Sequence, residues 1–291
     1  MGRNNLKATL RAFVKICLSG IALLVVIRNI DIHSAKNIFL GADIAWLLPA
    51  LIAFNFSKII SAFRLNSFFR MSGLTLDRLY NLKLYYVGMF YNLFLPGGIG
   101  GDGYKVYLLN KYFKSPLKTL VSASLLDRIS GMTALVFLAS ALLLTVDVSM
   151  DFVFPGPAVW VLVIMIYPTY YIFQKYVFRK FNPVFFQSAG YSLIVQCLQL
   201  VSAYCILRSL GVNEHYTEYQ VLFLVSSAVA VLPVTIGGVG ARELVFVIGS
   251  NFLGTDKNTA IAFSLIFFLI TVISSFTGIF FKTRPGMKIS L

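Results

Sequence analysis

The chain has 291 residues, 58% of them hydrophobic and only 12% charged, with 27 Phe and 15 Tyr. Together with a mean hydropathy of +0.81, this composition excludes an ordinary soluble domain and predicts an all-α polytopic membrane protein. The net charge of +14 would suggest nucleic acid in a soluble chain, but here the cations gather between apolar runs. There they report orientation and contact with anionic lipid, and no nucleic-acid partner is expected.

The N-terminal segment combines Arg3, Lys7, Arg11 and Lys15 with an apolar stretch at 12–30. It has the outline of a signal peptide, yet no small-residue cleavage site leads into a hydrophilic domain, so it reads as an uncleaved first span. Further runs near the roughly 20 residues needed to cross the hydrocarbon lie at 44–63, 119–146, 158–174, 187–207 and 258–281, giving six predicted spans. The apolar run at 84–96 follows Arg78 and Lys83 and is too short to cross. It predicts a re-entrant or broken segment. A second break is expected where the run at 219–236 meets the short piece at 244–253. Cys17, Cys197 and Cys205 all lie in apolar runs and imply no disulfide framework. His33 and His215 stand in separate polar loops, so neither a metal site nor another cofactor is expected.

Both predicted breaks carry one phrase, L-P-x-x-I-G-G-x-G-x-[K/R], at 95–105 and again at 232–242. Glycines let the backbone turn at positive φ and approach a ligand closely, and the proline begins a helix without needing a donor. Exposed N–H groups at the positive end of a half-helix, next to Lys105 or Arg242, suit an anion. The blander alternative is that these glycines only let helices pack or kink. Paired breaks at corresponding places in two halves favour a transport site. The spacing Gly98-x-Gly100-x-x-Gly103 also matches a dinucleotide fingerprint, but no βαβ unit surrounds it.

Loop charge supports the count of spans. If each phrase dips in and returns, the cation-rich stretches holding Arg64, Arg70, Arg78 and Lys83, then Lys105, Lys111, Lys114 and Lys118, then Lys175, Arg179 and Lys180, and finally Lys282, Arg284 and Lys288 all share one side. Asp147, Asp151, Glu214 and Glu218 fall on the other. Both termini are then cytoplasmic. Three spans separate the phrases, so one opens inward and the other outward. The expectation is one membrane domain, 1–291, made of two inverted halves, 1–150 and 151–291. Asp127 and Arg128 lie about 13 Å into the third span by helical rise. Charges at that depth face the protein interior or a wet cavity, pairing with each other or with Asp102 and Arg242. Glu243 is expected to neutralise Arg242 in an empty site. Asn92, four residues before Pro96, is placed to bond the broken backbone. Asn55 also needs a partner in hydrocarbon, and Lys58 reads as a snorkelling cation.

The segment Asn92-Leu93-Phe94-Leu95-Pro96-Gly97-Gly98-Ile99-Gly100-Gly101-Asp102, then Asp127-Arg128, then Leu232-Pro233 with Gly237-Gly238-Val239-Gly240-Ala241-Arg242-Glu243, resembles the transmembrane region of lysylphosphatidylglycerol synthases, the flippase-like domain family. The resemblance implies a prokaryotic plasma-membrane protein that moves aminoacylated phospholipids or other lipid-linked intermediates. Where that family usually places arginine this chain has Lys105, which keeps the charge but loses bidentate phosphate geometry. The full synthases add a soluble aminoacyl-transferase domain, which these 291 residues are not expected to house.

The expected function is flipping of an anionic phospholipid or lipid-linked phosphate through a polar cavity between the halves. The expected substrate-binding set is Asn92, Gly97, Gly98, Gly100, Gly101, Asp102, Lys105, Asp127, Arg128, Gly237, Gly238, Gly240, Arg242 and Glu243. No nucleophile–base pair, nucleotide-hydrolysis motif or metal cluster is legible, so no catalytic residue is assigned and an enzyme is not expected. Two alternatives stay open: an enzyme transferring a group to a lipid headgroup with Asp102 or Asp127 as base, and a membrane subunit for a separate transferase partner.

Overall fold

A computed structural model describes residues 37–94, 100–146, 156–231 and 240–281. All regular structure among them is helical. The chain runs through α1 (Ile44–Met71), α2 (Arg78–Phe94), α3 (Gly100–Phe113), α4 (Leu117–Leu143), α5 (Gly156–Val177), a 3-10 turn (Arg179–Val184), α6 (Phe185–Ser209), α7 (Tyr216–Val231), α8 (Ala241–Leu253), α9 (Lys257–Phe276) and a closing 3-10 turn (Thr277–Phe280). Among the described residues five stretches are long and apolar enough to cross a bilayer: Ile44–Met71, Leu117–Leu143, Ala158–Val177, Arg179–Ser209 and Lys257–Phe280. They correspond to five of the six expected spans. The first expected span, at 12–30, lies outside the described residues.

The helices begin where local chemistry places them. Asp43 caps α1, its carboxylate accepting from Ala45 N at 2.9 Å. Asp256 caps α9, accepting from Thr259 N at 2.7 Å and from the Thr259 hydroxyl at 2.7 Å. Side-chain oxygens thus satisfy N–H groups that a helix start would otherwise leave without acceptors.

Small polar residues set the closest packing. α1 and α6 run antiparallel over most of their length: Asp43 N donates to Ser209 O at 2.8 Å, and Ser202 Oγ to Ala50 O at 2.8 Å. Further along, Arg64 meets Ser192, and the Phe68 and Phe181 rings pack edge to face. Buried serines on these helices allow close backbone approach, which drives helix association where lipid removes the hydrophobic incentive.

Each broken pair closes on itself. The rings of Tyr80, early in α2, and Phe113, ending α3, lie 6.0 Å apart. At the other pair Asp256 N, just past α8, donates to the Tyr219 hydroxyl near the start of α7 at 3.1 Å. The packing is also reciprocal: α4 lies on α7 and α9 on α2, α1 on α4 and α6 on α9. Exchanging α1 with α6, α2 with α7, α3 with α8 and α4 with α9 turns one set of these contacts into the other.

Two apolar cores lie at opposite ends. One joins Leu65, Phe68 and Phe69 of α1 to Leu84, Leu109 and Leu120. The other stacks Phe54, Phe223, Phe246, Phe263 and Phe267, with Phe223 and Phe267 centroids 4.7 Å apart. On α1 the stretch between them, from Phe54 to Arg64, faces a polar cavity.

Candidate functional site: a cationic cavity between the broken helices

The cavity has a volume of about 330 Å³ and is lined by residues from every helix except α5. Its shape depends on how α2 meets α3. A Cβ on Gly101 would stand 1.8 Å from the Gly88 carbonyl oxygen, so only glycine permits this crossing. Gly101 N then donates to Asn92 Oδ1 at 2.8 Å across the break. The stem of Lys105 lies over Gly88, where an added Cβ would come within 3.0 Å of it.

These contacts place Asp102 and Lys105 on the cavity wall. Lys105 is 4% exposed, and its Nζ lies 2.7 Å from Asp102 Oδ1 and 5.1 Å from the centre of the Tyr85 ring. Arg128 of α4 reaches the other Asp102 oxygen through Nε. One carboxylate therefore bridges two cations. Its neighbour in sequence, Asp127, pairs instead with Arg64 of α1, Nε to Oδ1 at 2.7 Å. The Arg64 guanidinium also donates to Ser192 Oγ at 2.9 Å and lies over Gly131. Asp127 and Arg128 thus do not pair with each other, and the partner of Asp127 is neither Arg128 nor Arg242.

The second broken pair contributes Arg242 from the first turn of α8. Gly240 precedes it with φ 83°, a conformation L side chains rarely adopt. Glu243 is the N-terminal clasp of α8: Oε2 accepts from Gly240 N at 2.8 Å and Oε1 from Ser264 Oγ at 3.0 Å. Its carboxylate is consumed by these bonds and influences Arg242 only through space. The expectation that it balances Arg242 gains a physical limit, since both oxygens already have donors.

The sequence reading missed two lining cations. Lys58 does not snorkel to an interface: it lines the cavity, with Nζ 4.4 Å from the centre of the Phe54 ring. Arg64, read as a loop cation, is buried in α1. The signal was present, because Ser57, Lys58, Ser61 and Arg64 recur at helical spacing and mark a polar face on an apolar helix. Asn55 lies beside this face and is fully engaged, donating to Leu51 O at 2.8 Å and Ser274 Oγ at 3.0 Å while accepting from the Tyr86 hydroxyl at 2.9 Å.

Five cations, Lys58, Arg64, Lys105, Arg128 and Arg242, line the cavity against two carboxylates, Asp102 and Asp127. Lys58 and Arg242 have no ion-pair or hydrogen-bond partner among the described residues. Each rests against an aromatic face, Arg242 with its Cζ 4.8 Å from the Phe267 ring centre, and they repel one another across the space between. Such an arrangement is costly when empty and favours an anion that touches both. Gly100 opens α3 at the edge of this region. Gly97, Gly98, Gly237 and Gly238 lie outside the described residues.

Fold and cavity together define a multi-pass helical membrane protein with a cationic chamber between its helices. The chain matches the family described as the lysylphosphatidylglycerol synthase transmembrane region over residues 12–278, and it belongs to that family. It is also similar to UPF0104 membrane protein PH1989 of Pyrococcus horikoshii, at 23% identity over 90% of this chain and 93% of the relative.

Proposed function

We propose that this protein translocates an anionic phospholipid or lipid-linked phosphate across the plasma membrane, the headgroup passing through the cavity while the hydrocarbon chains stay in the bilayer. The observation that carries the reading is the pair Lys58 and Arg242, cations from opposite halves that face one space with no ion-pair partner among the described residues. Intramembrane charges that lack partners mark substrate paths by default, because holding them without function is costly. A phosphate placed there also competes with Asp102 for Arg128, whose planar guanidinium binds phosphate in bidentate fashion.

In this reading the two broken pairs are re-entrant and the halves are an inverted repeat. The reciprocal packing supports it, as do the contacts that bring the start and finish of each broken pair together. Three of the five membrane-length stretches separate the pairs, so they open to opposite sides. Charge supports a cytoplasmic placement for the end bearing Arg70, Arg78, Lys111, Lys114, Lys118 and Arg179, opposite Asp43, Glu214, Glu218 and Asp256.

Lipid mass spectrometry of the protein purified in nanodiscs of mixed lipid tests the assignment. Anionic lipids are expected to be enriched over zwitterionic ones, and the enrichment to fall in Lys58→Ala with Arg242→Ala. Equal retention of neutral lipid by wild type and variant would overturn it.

A further inference from the structure

A second, apolar space adjoins the cavity. It is a groove of about 740 Å³ between α4 and α5, bounded by residues such as Leu125, Ile129 and Val136 on one side and Leu162, Met165 and Phe173 on the other. Arg128, Met132 and Val231 line both spaces, so the groove leads into the cationic chamber at the residue that holds Asp102. α5 itself contributes nothing to the chamber, and Pro168 within it removes a backbone donor from the helix interior. The outward face of α5, with Trp160, Val161 and Ile164 exposed, is ordinary bilayer-facing surface.

We infer that the α4–α5 groove is the seat of a hydrocarbon chain of the same lipid whose phosphate occupies the cavity, which makes α4 and α5 the lateral doorway for substrate. The inference rests on the proposed function and adds the place where the chain sits. An amphiphile is the occupant that matches both halves of the space: an apolar trough several helical turns long, ending in a guanidinium and then in a chamber with three more cations besides Arg64. A water-soluble phosphate would leave the groove unused. A neutral lipid would leave Lys58 and Arg242 without an anion. Met132, at the threshold, is unbranched and adaptable, a side chain that accommodates a sliding chain.

The test uses the intact protein in nanodiscs with a phosphatidylglycerol bearing a photoreactive diazirine near the middle of one acyl chain, and maps the adducts by mass spectrometry. A companion measurement follows binding of dihexanoyl phosphatidylglycerol, which has the headgroup but chains too short to fill the groove. Adducts on the groove residues Val136 and Met165 are expected to exceed those on outward-facing Ile273 of α9 by about fivefold, a preference of roughly 1 kcal/mol. Lys58→Ala with Arg242→Ala, which releases the headgroup, is expected to erase that preference. Leu162→Trp, which fills the groove without touching the chamber, is expected to remove groove adducts while short-chain binding stays within about twofold. Uniform labelling that ignores both variants, with the short-chain lipid still bound by wild type, would overturn the groove and leave the cavity reading standing. Failure of wild type to bind the short-chain lipid, with uniform labelling, would overturn both.

Discussion

The charged residues of the cavity divide into those held by partners and those held for a ligand, and the two groups make opposite predictions. Asp127→Asn removes the carboxylate that pairs with buried Arg64, leaving a guanidinium whose remaining hydrogen-bond partner among the described residues is Ser192. Breaking a buried pair from one side costs about 3 kcal/mol or more, so the melting temperature in detergent is expected to fall by many degrees. Lys58→Met and Arg242→Met remove cations that have no such partner among the described residues. Their melting temperatures are expected to hold or rise while lipid handling is lost, and a fall as large as that of Asp127→Asn would assign them a structural role. That Asn92, Asp127 and Arg128 have polar partners was readable from the chain, because an amide or charge inside an apolar run must find one. Lys58 was not. A lone lysine in a span reaches an interface or a cavity equally well, and only the packing of α1 against α4 and α6 decides which.

The elements are set by where glycine is required rather than where it is frequent. Gly101 is in contact with the Gly88 backbone, whereas a Cβ on Gly103, two residues on and exposed, would meet nothing within 4 Å. Gly101→Ala is expected to force α2 and α3 apart and abolish folding or function. Gly103→Ala is expected to be tolerated and to stabilise α3 by up to about 1 kcal/mol through helix propensity, as read by thermal melting. Equal tolerance of both would contradict the close crossing. Gly240→Ala meets a different obstacle, the backbone conformation at φ 83°, with an expected cost of about 1–3 kcal/mol. The repeated phrase marked where α2 gives way to α3 and α7 to α8, and the short runs beside it marked helices shorter than the membrane-length stretches. Which glycine serves packing and which serves conformation was not readable, since identical letters in a motif carry no record of the neighbouring helix. Hence Gly101, called a ligand-binding position from the phrase alone, also has a packing duty against α2.

At the scale of the molecule, the chain's spacing of apolar runs and its loop charges predicted the helical class and five of the stretches now seen as membrane-length. Pairing between helices could not be read in the same way: nothing local says that α1 lies against α6, because that contact arises from serine-lined faces distant in sequence. The proposed inverted arrangement has its own test, made in a background with Cys17, Cys197 and Cys205 replaced by serine. Asp77→Cys and Lys114→Cys, flanking the first broken pair, are expected to react with an impermeant thiol reagent from the cytoplasmic side. Glu214→Cys and Lys257→Cys, flanking the second, are expected to react from the opposite side. Reaction of either couple from both sides would mean that its broken pair crosses the membrane. The central claim, passage of an anionic headgroup through the chamber, is tested most directly by a headgroup-accessibility assay in proteoliposomes. The account predicts that the wild type exposes an inner-leaflet anionic lipid to an external reagent, and that Lys58→Met with Arg242→Met, still folded by thermal melting, does so at a rate near that of protein-free vesicles. Translocation by that variant at the wild-type rate would contradict it.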